Sequence, residues 1–174
     1  MKVIIGSENI AAPMAYPVVT IGNFDGVHLG HQTIFREAAR MARENQGTSV
    51  VLTFEPHPAR ILAPEKTPRL LTPFKKKMDR ILKCGVDRVV CETFDRQLAG
   101  LPAQGFVKTL LVDRIQAREI IVGAEFSFGR DRQGTVSVLK QMGRSLGFGV
   151  HIVDPIKIKG EVVSSSRIRA LLQA

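Results

Sequence analysis

The sequence predicts an α/β fold, a doubly wound parallel sheet with helices on both faces. Short β-branched, apolar runs alternate with amphipathic stretches, and their order along the chain is βαβαβαβαβ. Strands separated by helices are joined by right-handed crossovers and pair in parallel. Nearly every unusual motif of the chain follows directly after a predicted strand. Because ligands of such folds bind at the carboxyl ends of the strands, we expect the functional site at that edge.

Each predicted element is marked by its hydrophobic period. The strands are apolar runs at residues 18–21, 49–54, 88–91, 119–122 and 149–153. The helices carry apolar residues at helical spacing, at residues 31–45, 74–84, 103–111, 136–146 and 167–172. Residues 55–73 contain prolines at 56, 58, 64, 68 and 73, which predict a long loop that serves the site.

Length and composition indicate one globular domain over residues 1–174. The chain is 44% hydrophobic and 24% charged, which is enough apolar material for a sizeable core. No apolar run approaches the roughly 20 residues of a membrane helix, so a cytoplasmic protein without a membrane partner is expected. Cys84 and Cys91 form neither a CxxC pair nor a zinc pattern, and we expect buried free thiols.

The net charge of +9 admits either a nucleic-acid surface or a site for small polyanions. The single dense basic run is Lys75, Lys76 and Lys77, and the chain has no tryptophan and one tyrosine. Aromatic residues interleaved with basic ones, which stack single-stranded bases, are missing from the sequence. The pattern therefore favours a small polyanionic ligand over nucleic acid.

The segment GNFDGVHLGH, residues 22–31, lies between the first predicted strand and the first predicted helix. Its glycines allow close approach of the main chain, and a helix that opens at His31 offers free N–H groups to an anion. The P-loop and GxGxxG patterns are both missing here. His28 and His31 alone do not make a zinc site, which needs at least three protein ligands. The plainer interpretation is a loop histidine followed by a helix residue.

A second segment, VVSSSRIR at residues 162–169, also runs from an extended stretch into a helix. Its serines could be helix caps, with Arg167 and Arg169 on a solvated face. With the first segment, however, it forms a second anion cradle. The two together predict a site for one extended polyphosphate.

These segments resemble the HxGH and SSTxIR signature pair of the nucleotidyltransferase superfamily, which has a Rossmann-like fold. TFEPHP at residues 53–58 and VGAEFSFGRDRQG at residues 122–134 narrow the resemblance. They are similar to segments of the FMN adenylyltransferase (FAD synthetase) module of prokaryotic bifunctional riboflavin kinase/FAD synthetases. The resemblance covers about the whole chain, with four motifs in order.

The resemblance implies adenylyl transfer from ATP to FMN, giving FAD and pyrophosphate, with Mg²⁺ held mainly by the substrate phosphates. His28 and His31 would contact the triphosphate as electrostatic handles, and Ser164, Ser165 and Arg169 would hold its β- and γ-phosphates. Arg167 falls at a variable position of the motif, so Arg169 is the preferred arginine. Further ATP contacts are implied at Gly22, Asn23, Phe24, Asp25, Gly26, Gly30, Gly123, Glu125 and Ser166. The flavin would lie against Phe54, Pro56, Pro58, Phe126 and Phe128.

Asp25 and two departures from the family pattern need separate treatment. We expect the Asp25 side chain to fix the turn by accepting an N–H two residues on, with magnesium contact through water as the alternative. Glu125 stands where the family more often has Asp or Asn, and Ser166 replaces Thr. Bifunctional members continue into a riboflavin kinase module, so this sequence is either a single-activity enzyme or a domain of a longer parent chain that carries that module. The sequence offers no residues for phosphorylating riboflavin, and we predict that activity to be absent.

Two other functions remain open at this level. The first is adenylyl or cytidylyl transfer to a different acceptor, such as pantetheine phosphate or nicotinate mononucleotide, although TFEPHP and FSFG argue against it. The second is a non-catalytic nucleotide-binding or nucleic-acid module.

Overall fold

The computed structural model describes residues 2–174 and confirms the α/β class. Its main sheet has six parallel strands in the order β1-β4-β3-β2-β5-β8. These strands are β1 Val3–Ile5, β2 Pro17–Ile21, β3 Thr48–Glu55, β4 Arg88–Thr93, β5 Glu119–Gly123 and β8 Gly149–Val153. Two small antiparallel hairpins are β6 Ser127–Phe128 with β7 Gly134–Thr135, and β9 Lys157–Ile158 with β10 Glu161–Val162.

Seven α-helices connect and cover these strands in the described chain. They are α1 Leu29–Glu44, α2 Ala59–Leu62, α3 Phe74–Lys83, α4 Arg96–Ala99, α5 Ala103–Phe106, α6 Val136–Leu146 and α7 Ser165–Gln173. A π-helical segment, Val107–Arg114, continues from α5. None of the helices in residues 2–174 is long and apolar enough to cross a membrane.

The five predicted strands are confirmed, whereas β1 was missed. This strand has three residues and pairs in parallel with β4 at the edge of the sheet. A run this short shows no measurable period in the sequence, so only its tertiary partner reveals it.

Two predicted helices and one predicted loop need correction. Helix α1 begins at Leu29 with His28 as its N-cap, and not at His31. The predicted helix at 103–111 is divided into α5 and wider π turns, which bury Val107, Leu110 and Leu111 together. The predicted loop at 55–73 contains α2 and a 3₁₀ turn, Pro64–Lys66, at which a proline fixes φ in the first turn.

The core lies on both faces of the sheet because alternate residues of each central strand point to opposite sides. On one face, Val50 and Leu52 pack with the π-helical segment and α6. On the other face, Val51 packs with Phe35 of α1 and Ile81 of α3. Strand β2 is buried along its whole length, which places its carboxyl end at the centre of the molecule.

We expect Leu52→Ala to lower the free energy of unfolding by about 3–4 kcal/mol, because the Leu52 side chain is fully buried in the larger core cluster. The matched control is Leu172→Ala, whose side chain is 75% exposed and whose loss should change stability by less than about 0.5 kcal/mol. Urea unfolding followed by circular dichroism measures both. Equal losses in the two variants would contradict the assigned core.

Candidate functional site

The site lies at the point where the strand order reverses. From β2 the chain proceeds through β3 and β4 to one side, whereas β5 and β8 lie on the other side. The loops that follow β2 and β5 therefore diverge and leave a crevice between them. A pocket of about 630 Å³ occupies this crevice. Its walls come from the loops after β2, β5 and β8 and from the starts of α1 and α7.

The loop after β2, residues 22–26, directs its main-chain carbonyl groups toward protein partners. The carbonyl oxygens of residues 23, 25, 26 and 27 all accept hydrogen bonds from side chains of other segments or of α1. The donors are Thr53 and Lys77 to Asn23, Ser165 to Asp25, Arg80 to Gly26 and Gln32 to Val27. In residues 2–174, the N–H groups of residues 23–26 donate no hydrogen bond. These amides are therefore available to an anionic ligand.

Left-handed backbone conformations make this loop possible. The φ angles are 52° at Phe24, 89° at Gly26 and 46° at Val27. Glycine adopts such an angle without penalty, whereas a β-branched valine does so only under constraint. Strain of this kind persists where the surrounding contacts over-determine the backbone, and it is concentrated at functional sites.

His28 and His31 lie face to face at the start of α1. Their ring centroids are 3.6 Å apart, and His28 Nδ1 accepts a hydrogen bond from His31 N at 3.4 Å. The His31 ring also packs edge-on against Phe24, at 5.1 Å between centroids. The buried His31 Nδ1 has no hydrogen-bond partner among the described residues, which leaves a polar atom for a ligand in the pocket.

Both imidazoles are neutral near pH 7. Burial lowers the pKa of His31 to about 3, with a further lowering from His28 and an opposing effect of Asp25. Burial also lowers the pKa of His28. The resemblance implied electrostatic handles for the triphosphate at these two positions, and the structure provides neutral hydrogen-bonding groups there.

The Asp25 carboxylate joins three distant segments. It is buried and accepts hydrogen bonds from the amides of Leu71 and Thr72, at 2.9–3.1 Å. Arg169 Nη2 of α7 donates to the same carboxylate at 2.6 Å. The expected partner, an amide two residues on, was therefore wrong, because the residue fixes the 71–72 loop and α7 instead. With these donors in place, Asp25 is also a poor candidate for a magnesium ligand.

The serine-arginine segment forms the opposite wall of the pocket. Ser164 is the N-cap of α7 and accepts from the amide of Arg167, as in the plainer interpretation, and it also lines the pocket. Ser165 donates to the carbonyl of Asp25 at 2.8 Å, and Ser166 lies on the pocket rim. Arg167 pairs with Glu161 outside the pocket wall.

The guanidinium group of Arg169 lines the pocket and is only 15% exposed. Its Nε donates to the carbonyl of Arg69 at 2.8 Å, and its Nη2 is held by Asp25. Its third nitrogen has no hydrogen-bond partner within residues 2–174. The preference for Arg169 over Arg167 thus agrees with the position of both side chains.

Most of the remaining sequence-predicted nucleotide contacts also line the pocket, including Gly22, Asn23, Phe24, Gly30, Gly123 and Glu125. Gly26 lies behind this wall, where a Cβ would meet Leu71 at 2.9 Å. Within the described residues, no three His, Cys, Asp or Glu side chains are grouped as a metal site.

The predicted flavin residues are only partly brought together. Phe126 lines the pocket and stacks on Phe128, at 5.5 Å between centroids. Phe54 and Phe128 are each 7% exposed and belong to the core. Pro56 and Pro58 lie outside the pocket wall, whereas His57 between them is part of it. Flavin contact at these positions stays a prediction.

Among the pocket residues that were not selected from the sequence, three have titratable side chains. His57, Lys66 and Asp154 all line the cavity. His57 is held by a hydrogen bond from the Ala59 amide to Nδ1, and its pKa is lowered by burial and by Arg169. The sequence signal that could have identified His57 is its position inside the TFEPHP motif. Lys66 and Asp154 lie in loops whose path the sequence does not reveal.

Comparison with known proteins identifies the relatives of this chain. The sequence profile of the family described as FAD synthetase matches residues 12–167. Two proteins named bifunctional riboflavin kinase/FMN adenylyltransferase, from Escherichia coli strain K12 and from Pseudomonas fluorescens, are each 37% identical over 99% and 100% of this chain. The chain spans about half of their length, 55% and 56% respectively.

A solved structure of high similarity supports the fold. A crystal structure described as a macrolide-efflux protein from Streptococcus pneumoniae superposes with a TM-score of 0.83 and 30% sequence identity. The match covers 98% of this chain and 55% of that chain. The description of that protein names a different activity, so this likeness supports the fold alone.

The neutral state of His31 has a measurable consequence for stability. In the unfolded chain the imidazole titrates near pH 6.5, whereas the folded pKa is about 3. Between these values the unfolded chain binds a proton that the folded chain does not, so the free energy of unfolding falls as the pH falls from 6.5 toward 3. We expect His31→Gln to lose less stability than the wild type between pH 7 and pH 4.5.

Urea unfolding at several pH values measures this difference, and NMR of the imidazole Cε1–H of His31 provides an independent check. Its chemical shift should stay constant between pH 5 and pH 8. A titration midpoint near pH 6.5 would contradict the buried, neutral assignment.

Proposed function

The chain belongs to the FAD synthetase family, and from this premise we propose that it transfers the adenylyl group of ATP to FMN, giving FAD and pyrophosphate. The observation that carries the proposal is the pocket at the β2/β5 crevice. It brings residues 23–25, whose amides donate no hydrogen bond, together with the HxGH histidines and the start of α7 in one cavity. These groups suit a polyphosphate, and the relatives whose names include FMN adenylyltransferase suggest the acceptor.

The reaction needs positioning and charge stabilisation more than acid or base groups. A phosphate oxygen of FMN forms a bond to the α-phosphorus of ATP, and the bond from that phosphorus to the bridging oxygen of the β-phosphate breaks. The bonding electrons leave with pyrophosphate, and no proton has to be transferred. Catalysis then depends on alignment of the two phosphates and on stabilisation of the departing pyrophosphate.

On the phosphate side, we assign three kinds of donor to this task. The amides of residues 23–25 and the neutral imidazoles of His28 and His31 would donate hydrogen bonds to the triphosphate. Ser164 and the free nitrogen of Arg169 would contact its β- and γ-phosphates from the opposite wall. The hydroxyl of Ser165 already donates a hydrogen bond to the carbonyl of Asp25, so the contribution of Ser165 is to hold the loop in place.

Magnesium fits this pocket as an ion bound mainly to substrate. It needs only one or two carboxylates in addition to phosphate oxygens, and Glu125 and Asp154 are exposed carboxylates of the pocket wall. When bound, it would neutralise charge on the pyrophosphate. We propose that these two residues, and not Asp25, are its protein contacts.

The acceptor FMN would enter beside Phe126, which lines the pocket. The ring of Phe126, stacked on the buried Phe128, offers a planar, apolar surface for the isoalloxazine ring. Since ATP and FMN are phosphorylated metabolites, we place the reaction in the cytoplasm. We propose that residues 1–174 perform adenylyl transfer without riboflavin kinase activity.

Incubation of the protein with ATP, MgCl₂ and FMN should yield FAD and pyrophosphate, measured by chromatography of the flavins and by a coupled pyrophosphate assay. Riboflavin in place of FMN should give neither FMN nor FAD. Turnover with another phosphomonoester, such as pantetheine phosphate, and none with FMN would overturn the proposed acceptor. ATP binding without any turnover would indicate a non-catalytic module.

The site assignment predicts different effects for two arginines of the same helix. We expect Arg169→Ala to lower kcat/KM for FAD formation by about 10²–10³, because it removes charge from the pyrophosphate side of the pocket. Arg167→Ala is the matched control and should remain within about threefold of wild type, since Arg167 is part of a surface pair with Glu161.

Removal of Arg169 also leaves the buried carboxylate of Asp25 without its cation, so the folded fraction has to be measured by thermal unfolding. Arg169→Lys preserves the charge and should fold, but it loses the planar fork and should remain at least about tenfold impaired. Wild-type rates in Arg169→Lys and Arg169→Ala would show that the polyphosphate lies elsewhere.

A further inference from the structure

We infer that Lys77 is a positioning residue that fixes the loop at 22–26 relative to the carboxyl end of β3, and thereby the relative placement of the two substrates. What these segments bind rests on the proposed function, whereas the contacts of Lys77 do not. In the sequence, Lys77 is the last residue of the basic run at 75–77 and looks like part of a solvated face.

The structure separates Lys77 from its neighbours in the run. Lys75 and Lys76 are exposed, but the side chain of Lys77 is only 7% exposed and points from α3 into the protein. A buried ammonium group is strongly unfavourable unless oxygen atoms replace its hydration. The reason for its burial must therefore be found in its partners.

The ammonium group of Lys77 has three oxygen partners, the number that its three N–H bonds can serve. Nζ lies 3.2 Å from the carbonyl oxygen of Phe54 and 3.4 Å from that of Asn23. The Glu55 carboxylate is at 3.7 Å and balances the charge. None of these oxygens belongs to α3, so Lys77 connects segments outside its own helix.

The two carbonyl groups belong to the two sides of the pocket. Asn23 is in the loop that lines the pocket, and its carbonyl also accepts from Thr53 Oγ1 at 3.2 Å. Phe54 is near the end of β3, from which the chain continues within three residues to His57 in the pocket wall. A single buried cation thus holds both segments at a fixed separation.

This arrangement matters for a reaction between two bound phosphates. The rate of such a transfer depends steeply on the distance and angle between the reacting atoms, and much less on the affinity for each substrate alone. Loss of Lys77 should therefore lower the rate of the chemical step while ATP and FMN still bind separately. A methionine of similar length could fill the space, but it could not hold the two carbonyls.

The test compares Lys77→Met with Lys76→Met, an exposed neighbour that serves as the matched control. Hydrogen exchange followed by mass spectrometry should show faster exchange of the hydrogen-bonded amides of Gly22 and Val27, which flank the free amides of the loop, and of the end of β3, in Lys77→Met only. In single-turnover assays with both substrates saturating, we expect Lys77→Met to form FAD about 10–100 times more slowly than wild type. Calorimetric Kd values for ATP and for FMN should each change by less than about threefold.

Thr53→Val provides a second variant that does not depend on the folding of Lys77→Met. It removes the other donor to the Asn23 carbonyl and should give a smaller loss of the same kind. Because both residues act on one oxygen, their effects on the single-turnover rate should be clearly non-additive in the double variant.

The outcomes separate this inference from the proposed function. If wild-type protein makes no FAD but exchange at both segments increases in Lys77→Met, the proposed function fails and the structural connection stands. If wild-type protein makes FAD and Lys77→Met has the same single-turnover rate, the positioning role is overturned. Unchanged exchange at either segment overturns the connection itself, and a Kd that weakens as much as the rate falls overturns the positioning role.

Discussion

The architecture of the pocket depends on the buried carboxylate of Asp25. Its two oxygens accept hydrogen bonds from the amides of residues 71–72 and from the guanidinium of Arg169. The main-chain carbonyl of Asp25 accepts a further hydrogen bond from the hydroxyl of Ser165. Leu71 and Arg169 lie 46 and 144 residues after Asp25 along the chain, and both contact its carboxylate. Removing one partner of such a buried ion pair typically costs about 3–5 kcal/mol, so the pocket walls are strongly interdependent.

The loop that contains Asp25 forms a candidate anion site, although the two histidines beside it are neutral and add no positive charge. The carbonyl groups of this loop accept hydrogen bonds from Lys77, Arg80 and Ser165. Unfavourable φ angles at Phe24 and Val27 accompany this arrangement. Fixed N–H dipoles need no reorganisation when a phosphate arrives, which is the condition for effective electrostatic stabilisation. The side chains of Lys77 and Arg80 hold the backbone of this loop, and in the proposed function its amides would contact the phosphate.

The sequence was sufficient for the fold class, five of the six strands in the main sheet and the edge at which the site lies. These features follow from periodicity and from the order of elements, which are local properties. The pairing of Arg169 with Asp25 and the burial of Lys77 were not predictable, because both depend on which distant segments meet. Lys77 has the same local pattern as Lys75 and Lys76, and only the packing of α3 against β3 distinguishes it. The aromatic residues show the converse, since Phe54 and Phe128 have a motif position that suggests a ligand wall but lie in the core.

Helix α7 contains no buried residue in the described structure, although it supplies one wall of the pocket. Its attachment therefore comes from polar contacts at Ser165 and Arg169, with little hydrophobic contribution. Segments with this character open locally at a lower free energy than the rest of a domain. A ligand that spans the loop and the helix would bind only the closed form, and at 100 times its Kd it would add about 2.7 kcal/mol to closure. Occupancy of the pocket would then be measurable as increased order of α7.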